Sequence, residues 1–243
     1  MSGNFSFKQN TNCRICNNDI LKTYLDLGDQ PPSNSFIKKD ELYNEEFFSL
    51  KIQLCESCGL SQLDTIVAPS DIFDDYMYLS STSKALVNHY KEMTKKIVKL
   101  FDPQNNDLIV DIGSNDGITL DTYEKNKFKL LGIEPSSAAK ISSKKGIDTE
   151  NSFFTYDFSE KLVSKYGYAK IITTTNVFAH IEDIRNFTKG IKKFLDQQGV
   201  FVIEFPYLRN MLEDKLFDII YHEHLSYLSI LPLCKLFSDF ELK

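Results

Sequence analysis

The sequence predicts an α/β protein, a parallel sheet with helices on both faces, preceded by a small cysteine-bearing domain. Three observations carry this. From about residue 81 onward, strand-like and helix-like segments alternate, the pattern of parallel strands joined by crossover helices. Residues 1 to about 80 hold four of the five cysteines, few helix signals and the turn-rich stretch Asp29-Gln-Pro31-Pro32-Ser-Asn34. Between Leu108 and Gly117 an apolar run enters a glycine loop that carries two acids. The expected division is therefore 1–80 for the cysteine domain and 81–243 for the sheet domain.

Taken in order, Ser81-Thr82-Ser83 can cap a helix. Leu86, Tyr90, Met93, Ile97 and Leu100 then recur at helical spacing, and Pro103 with Asn105-Asn106 ends the pattern. Strand Leu108–Ile112 follows, then a helix after Gly117 and a strand Lys129–Ile133. Pro135-Ser136 opens another helix, which Gly146 ends. A helix anchored by Leu162 precedes strand Ala169–Thr174. Ile184, Phe187, Ile191 and Phe194-Leu195 mark one more helix, and Gly199 leads into the strand Val200–Phe205. An open parallel sheet binds its ligand beyond the carboxyl ends of its strands. The residues to weigh are therefore the Gly113–Gly117 loop, Glu134, Asn176 to His180, and Pro206-Tyr207 onward to Tyr221–His224.

The 243 residues suffice for one such domain and a small companion. With 42% hydrophobic and 26% charged residues the composition is that of a globular protein, and the net charge of −6 argues against nucleic acid or an anionic membrane as partner. The N-terminus has no apolar signal core, and no apolar run reaches the ~18 residues that span a bilayer. The most apolar late stretch, Leu225 to Leu236, is broken by Ser226, Ser229, Pro232 and Lys235. A cytoplasmic location is expected, where paired cysteines serve metals more often than disulfides. The sequence sets no oligomeric state.

Cys13-Arg-Ile-Cys16 and Cys55-Glu-Ser-Cys58-Gly59 are two C-x-x-C knuckles, with 38 residues between their inner cysteines. Each chelates from a tight turn, and together they complete a tetrahedral thiolate shell suited to zinc. Such a closed shell makes the metal structural. Two disulfides, free core cysteines or a redox pair are the alternatives. Cys234 has no partner and is expected to be a small core hydrophobe.

Asp111 and Asp116 stand where a dinucleotide loop would hold pyrophosphate, so a cation fits better. S-adenosylmethionine carries a sulfonium and an ammonium. Gly113 lets the backbone approach such a ligand, with Asn115 in the same loop. Glu134 ends the next strand 21 residues after Gly113, where it can accept from both ribose hydroxyls. A nicotinamide cofactor would share that acid but expects G-x-G-x-x-G, and this loop reads G-x-x-x-G. A strand-ending acid can also be a plain helix cap.

Three of the four histidines, His180, His222 and His224, fall where an active site is expected. A histidine can take a proton from carbon beside a carbonyl, and the enolate then needs a donor on its oxygen, from tyrosine or a second histidine. The alternatives are a second metal at His222-Glu-His224 or a core network. His89 lies in the amphipathic pattern and reads as structural. Tyr76 and Tyr78 read either as interdomain core aromatics or as pocket rim, with Tyr78 kept among the candidate catalytic residues.

These motifs together resemble the zinc-binding, S-adenosylmethionine-dependent sugar C-methyltransferases, typified by enzymes acting at C-3′ of nucleotide-linked deoxysugars. The markers run from Cys13-Arg-Ile-Cys16, Leu27-Gly-Asp-Gln-Pro31 and Cys55-Glu-Ser-Cys58-Gly59 through Asp75-Tyr-Met-Tyr78-Leu-Ser-Ser81. They continue with Asp111–Gly117, Gly132-Ile-Glu-Pro-Ser136, Asn176-Val-Phe-Ala-His180 and Tyr221-His-Glu-His224-Leu-Ser-Tyr227. The resemblance implies a class I, Rossmann-like methyltransferase sheet and a nucleotide-linked 4-keto sugar, usually on thymidine, that loses its C-3 proton. The resulting enolate attacks the sulfonium methyl. It further implies His224 as base, Glu223 as holder of its ring, Tyr221 and His180 as supports for sugar or enolate, and Asn176 with the 113–117 loop as cofactor contacts. Members of the family usually continue past the position of Lys243, so the sheet is expected to be incomplete at its C-terminal edge. Two readings stand beside the sugar C-methyltransferase: a non-catalytic remnant that binds cofactor and zinc, and transfer to oxygen or nitrogen instead of carbon.

Overall fold

A computed structural model describes residues 6–34, 36–40, 45–68 and 79–243. The first strands are β1 (Phe7–Gln9), β2 (Leu21–Gln30), β3 (Phe48–Cys55), β4 (Ser61–Leu63) and β5 (Thr65–Val67). Helix α1 (Lys84–Phe101) precedes β6 (Leu108–Ile112) and β7 (Lys129–Ile133). Then come α2 (Ala139–Lys144), β8 (Asp148–Glu150), α3 (Tyr156–Tyr166), β9 (Ala169–Thr175), α4 (Ile184–Phe194) and β10 (Leu195–Glu204). Helix α5 (Leu208–Asp214), the two-residue strand β11 (Ser226–Tyr227) and helix α6 (Ile230–Asp239) complete the order.

Contacts divide the chain into two compact units. One comprises residues 75–177 and 186–204, the other residues 1–74, 178–185 and 205–243. The expected division at residue 80 followed the cysteines, whereas contacts also gather two later stretches with the N-terminal segment.

The first of these units holds a five-stranded sheet in the order β10-β9-β6-β7-β8. Each neighbouring pair is parallel. The expected parallel α/β sheet is thus observed. Strand β6 lies in its middle and is buried along its whole length, as a strand covered on both faces must be. Ser83 caps α1 by accepting from the Leu86 amide at 3.4 Å. Tyr90, Thr94 and Ile97 form its buried stripe, whereas the expected anchor Leu100 is 73% exposed. Ile97 packs with Ile109, Leu120, Tyr123, Phe128, Leu130, Ile147 and Ile171 in one core. On α4, Ile184, Phe187, Ile191 and Phe194 are buried as their spacing predicts.

The helix expected after Gly117 is a single 3-10 turn, Leu120–Thr122. Thr122 turns its hydroxyl back to the Thr119 carbonyl at 2.6 Å. Threonine offers the backbone such local alternatives to an α-helix. Strand β10 begins earlier than expected, with a register irregularity between Leu195 and Val200.

The other unit carries an antiparallel sheet in the order β11-β4-β3-β2 and the pair β1-β5. Leu50, Ile52, Leu63, Ile66, Met211, Leu225 and Tyr227 form its core. Pro232 sits in the first turn of α6, where a missing amide costs no helix hydrogen bond. Cys234 on α6 is exposed, against the expected core position. Helical spacing turns Leu233 and Leu236 inward instead. Among the described residues no helix is long and apolar enough to cross a membrane.

Candidate active site

The four knuckle cysteines converge, with their sulfurs all within 4.8 Å of one another. Cys13 Sγ lies 3.5 Å from Cys58 Sγ, and Cys16 Sγ lies 3.6 Å from Cys55 Sγ. Sulfurs around a tetrahedral zinc at ~2.3 Å stand about 3.8 Å apart. Disulfide sulfurs stand ~2 Å apart. The spacing therefore fits a metal shell and excludes the disulfide alternative. The Cys13 thiol, hydrogen-bonded by Cys58, is lowered to about 5, while the same contact pushes Cys58 up. Gly59, at φ +78°, forms the turn behind the second knuckle.

In the parallel-sheet unit the glycine loop leaves β6 between two left-handed glycines, Gly113 (φ +72°) and Gly117 (φ +79°). A Cβ on Gly113 would stand 2.3 Å from Val177 Cγ2, and one on Gly117 would stand 2.6 Å from Ser142 Oγ. Both positions therefore require glycine. Between them Asn115 is also left-handed, and its side-chain oxygen accepts from the amides of Ser80 and Asp116.

Asp111 is 1% exposed. It pairs in register with Thr173 on β9, whose hydroxyl donates to it at 2.6 Å. Burial pushes its carboxyl up to about 7, with the Thr173 hydrogen bond opposing. Asp116 is equally buried, and Lys145 Nζ stands 3.3 Å from its Oδ2. Its Oδ1 has no partner among the described residues. Glu134 was expected as a ribose acceptor. Each of its oxygens already takes one backbone amide, from Asn115 at 2.8 Å and Ser136 at 2.9 Å. It therefore clamps the loop to the end of β7 and keeps lone pairs for a ligand. Three carboxylates against one lysine make a set that suits a cation and repels a pyrophosphate. Asn176 adopts φ +57°, its amide bonds the Glu204 carbonyl, and its side chain stands 3.4 Å from Tyr90 Oη. His89, read as structural, is half exposed and pairs with Glu204.

In the other unit Tyr221, His224 and His180 gather. The rings of His180 and His224 are 4.7 Å apart, and those of Tyr221 and His224 are 4.3 Å apart. His224 Nδ1 lies 2.8 Å from the Ile219 carbonyl and Nε2 lies 3.0 Å from Tyr221 Oη. A carbonyl can only accept, so Nδ1 carries the proton and Nε2 presents its lone pair. Burial lowers the pKa of His224, which keeps the ring neutral. Glu223 does not hold this ring as the resemblance implied. It accepts from Asn34 at 2.7 Å, with burial raising its pKa. His222 is fully buried, bonded to the Phe48 and Ser49 carbonyls, and serves the core. Among the described residues the histidines and Glu223 form no metal cluster. Tyr76 and Tyr78 lie outside the described residues.

Sequence reasoning missed Thr173, Lys145, Ser80, Asn34 and the Ile219 carbonyl. Thr173, Lys145 and Asn34 meet their partners through tertiary contact, and Ser80 and Ile219 act through backbone groups that residue identity does not reveal.

The parallel order, the acid-bearing glycine loop and the acid ending the adjacent strand define the class: a Rossmann-like, S-adenosylmethionine-dependent methyltransferase fold. The chain belongs to the methyltransferase domain family, whose model matches residues 87–243. A zinc binding domain model matches residues 13–73. The chain is 29% identical over 233 residues to C-methyltransferase NovU of Streptomyces niveus, covering 95% of this chain and 56% of that protein. It thus spans about half the length of that relative. A SAM dependent methyltransferase from Archaeoglobus fulgidus shares the fold at 15% identity and a TM-score of 0.50, over 62% of this chain and 68% of that one. A chain of the Haloferax volcanii complex between the Trm112 methyltransferase activator and a methyltransferase does so at 14% identity and a TM-score of 0.50, over 65% and 70%. S-adenosylmethionine and zinc are the cofactors that family and residues define together.

Proposed function

We propose that this chain carries a C-methyltransferase for a nucleotide-linked 4-keto-deoxysugar, acting at C-3 through an enolate. The observation that carries the reading is the neutral His224, with its proton fixed on Nδ1 and its Nε2 lone pair held toward a tyrosine hydroxyl. Oxygen or nitrogen acceptors need less help to become nucleophiles. A carbon acid beside a carbonyl needs both a base and an oxyanion donor. The name of the NovU relative, a C-methyltransferase, points the same way.

S-adenosylmethionine, when bound, supplies a methyl group on a positively charged sulfur. Gly113, Asn115, Asp116, Glu134 and Asn176 would hold it, with Asp111 behind the loop. Substrate binding parts the Tyr221 hydroxyl from Nε2. The lone pair on Nε2 then takes the C-3 proton, and the hydroxyl donates to the developing enolate oxygen. His180, packed on the His224 ring, orients the sugar. The zinc shell is closed and takes no part in proton transfer.

The test is deuterium exchange at C-3 of thymidine-diphosphate 4-keto-dideoxysugars in D₂O, with and without cofactor. Wild type should exchange, His224→Ala should not, and the methylated product should show a carbon-bound methyl by NMR. A methyl on oxygen or nitrogen, or no exchange with any of several keto sugars, overturns the reading.

A further inference from the structure

The first cysteine knuckle reaches beyond its metal. Arg14, between Cys13 and Cys16, donates through Nη1 to Ser226 Oγ and through Nη2 to the Ile181 carbonyl and, at 2.8 Å, the Glu182 carbonyl. The carbonyl of Ile15, next in the knuckle, accepts from Arg185 Nη1 at 2.7 Å. Ile181 and Glu182 directly follow His180, and Ser226 stands two residues after His224. The second knuckle arrives at the same segment along the backbone. Strand β4 begins just after it and pairs with β11, Gln62 opposite Ser226. Gln62 Oε1 in turn accepts from the Arg14 amide at 2.9 Å.

Arg14 is half-buried, its guanidinium turned onto these acceptors. Its Nε has no acceptor among the described residues. Drawing a cation partly out of water has a cost, and apolar side chains of similar volume often serve stability as well or better. What an arginine fork adds is simultaneous reach to several acceptors in fixed directions. The acceptors here are the backbone behind one histidine and the strand behind the other.

We propose that Arg14 is a positioning residue: anchored by the knuckle, it sets the spacing of His180 and His224 on which proton abstraction depends. The catalytic part of this inference rests on the C-methyltransfer reading above. Metal binding then acts on the chemistry through this strut, at a distance from the reacting atoms.

The experiment compares wild type, Arg14→Met, Arg14→Lys and Ser226→Ala in the full chain. Four quantities are measured: zinc content, S-adenosylmethionine affinity by calorimetry, backbone deuterium uptake, and the rate of C-3 proton exchange. Both Arg14 variants should keep wild-type zinc and cofactor affinity. Uptake should rise at residues 180–185 and 224–228 while 48–67 stay protected. The maximal exchange rate should fall about 10- to 100-fold, the scale of a misplaced catalytic group, with KM little changed. Lysine keeps the charge but not the fork, so Arg14→Lys should not rescue. Wild-type rates and protection in either Arg14 variant overturn the proposal, as does a loss spread across the whole unit together with loss of zinc. Should neither Arg14 variant fold, Ser226→Ala decides by the same local readouts. If wild type itself exchanges no proton, the functional reading falls, while zinc content and local uptake still decide for or against the strut.

Discussion

Replacing Asp111 with asparagine should make the cofactor-free protein more stable at neutral pH and no more stable in acid. Asp111 ends the central strand with 1% exposure, and burial holds its carboxyl up to about 7 against 3.8 when free in solution. A carboxyl raised in this way binds its proton more tightly folded than unfolded. Its contribution to stability is complete below pH 3.8 and is lost as pH rises through 7. The gap corresponds to about 4 kcal/mol at ~1.4 kcal/mol per pH unit. Asparagine has a similar shape, can accept from Thr173, and does not titrate. Urea unfolding of both proteins without cofactor, between about pH 5 and 8, should show the variant gaining about 2 kcal/mol on wild type between pH 5 and 7 and little beyond. A difference that stays flat from pH 5 to 7 would refute the argument that a desolvated, ionising Asp111 underlies the loop. Cofactor should narrow the gap, because a cation near the carboxylate favours its charged form.

Gly113→Ala should fold poorly or lose cofactor, since its Cβ would lie 2.3 Å from Val177 at φ +72°; thermal shift with S-adenosylhomocysteine checks this. Lys145→Met leaves Asp116 buried without its cation, at a cost of about 3 kcal/mol. Asp116→Asn in the same chain should recover most of that, as a double-mutant cycle by denaturant unfolding would show. Removing zinc with a chelator should raise deuterium uptake in residues 13–63 before any change at 108–133, and simultaneous loss in both would argue against a locally structural metal.

Strands β6 and β7 were legible to the residue because continuous apolar runs end at turn signals. Strand β8 was not, because Asp148-Thr-Glu150 carries no pattern and owes its pairing to β7. The metal site was legible because chelation imposes its spacing on the chain. The loop acids were legible as acids, but their partners were not. Thr173 meets Asp111 across a sheet register, and Lys145 meets Asp116 from beyond the end of α2. Glu134 and His224 are held by backbone amides and a carbonyl, groups every residue has and no motif reveals. The resemblance implied Glu223 as the holder of His224, and the Ile219 carbonyl fills that place.

The interleaving of the units has a consequence for synthesis. The chain passes between them at residues 74/75, 177/178, 185/186 and 204/205. A ribosome exposes both knuckles, and can load their metal, long before it has made β11. Until then β4 is an open edge and Arg14 lacks Ser226, the last of its three acceptors to be made. Zinc capture is therefore an early event and histidine placement a late one, and no single proteolytic nick could release either unit as a continuous fragment.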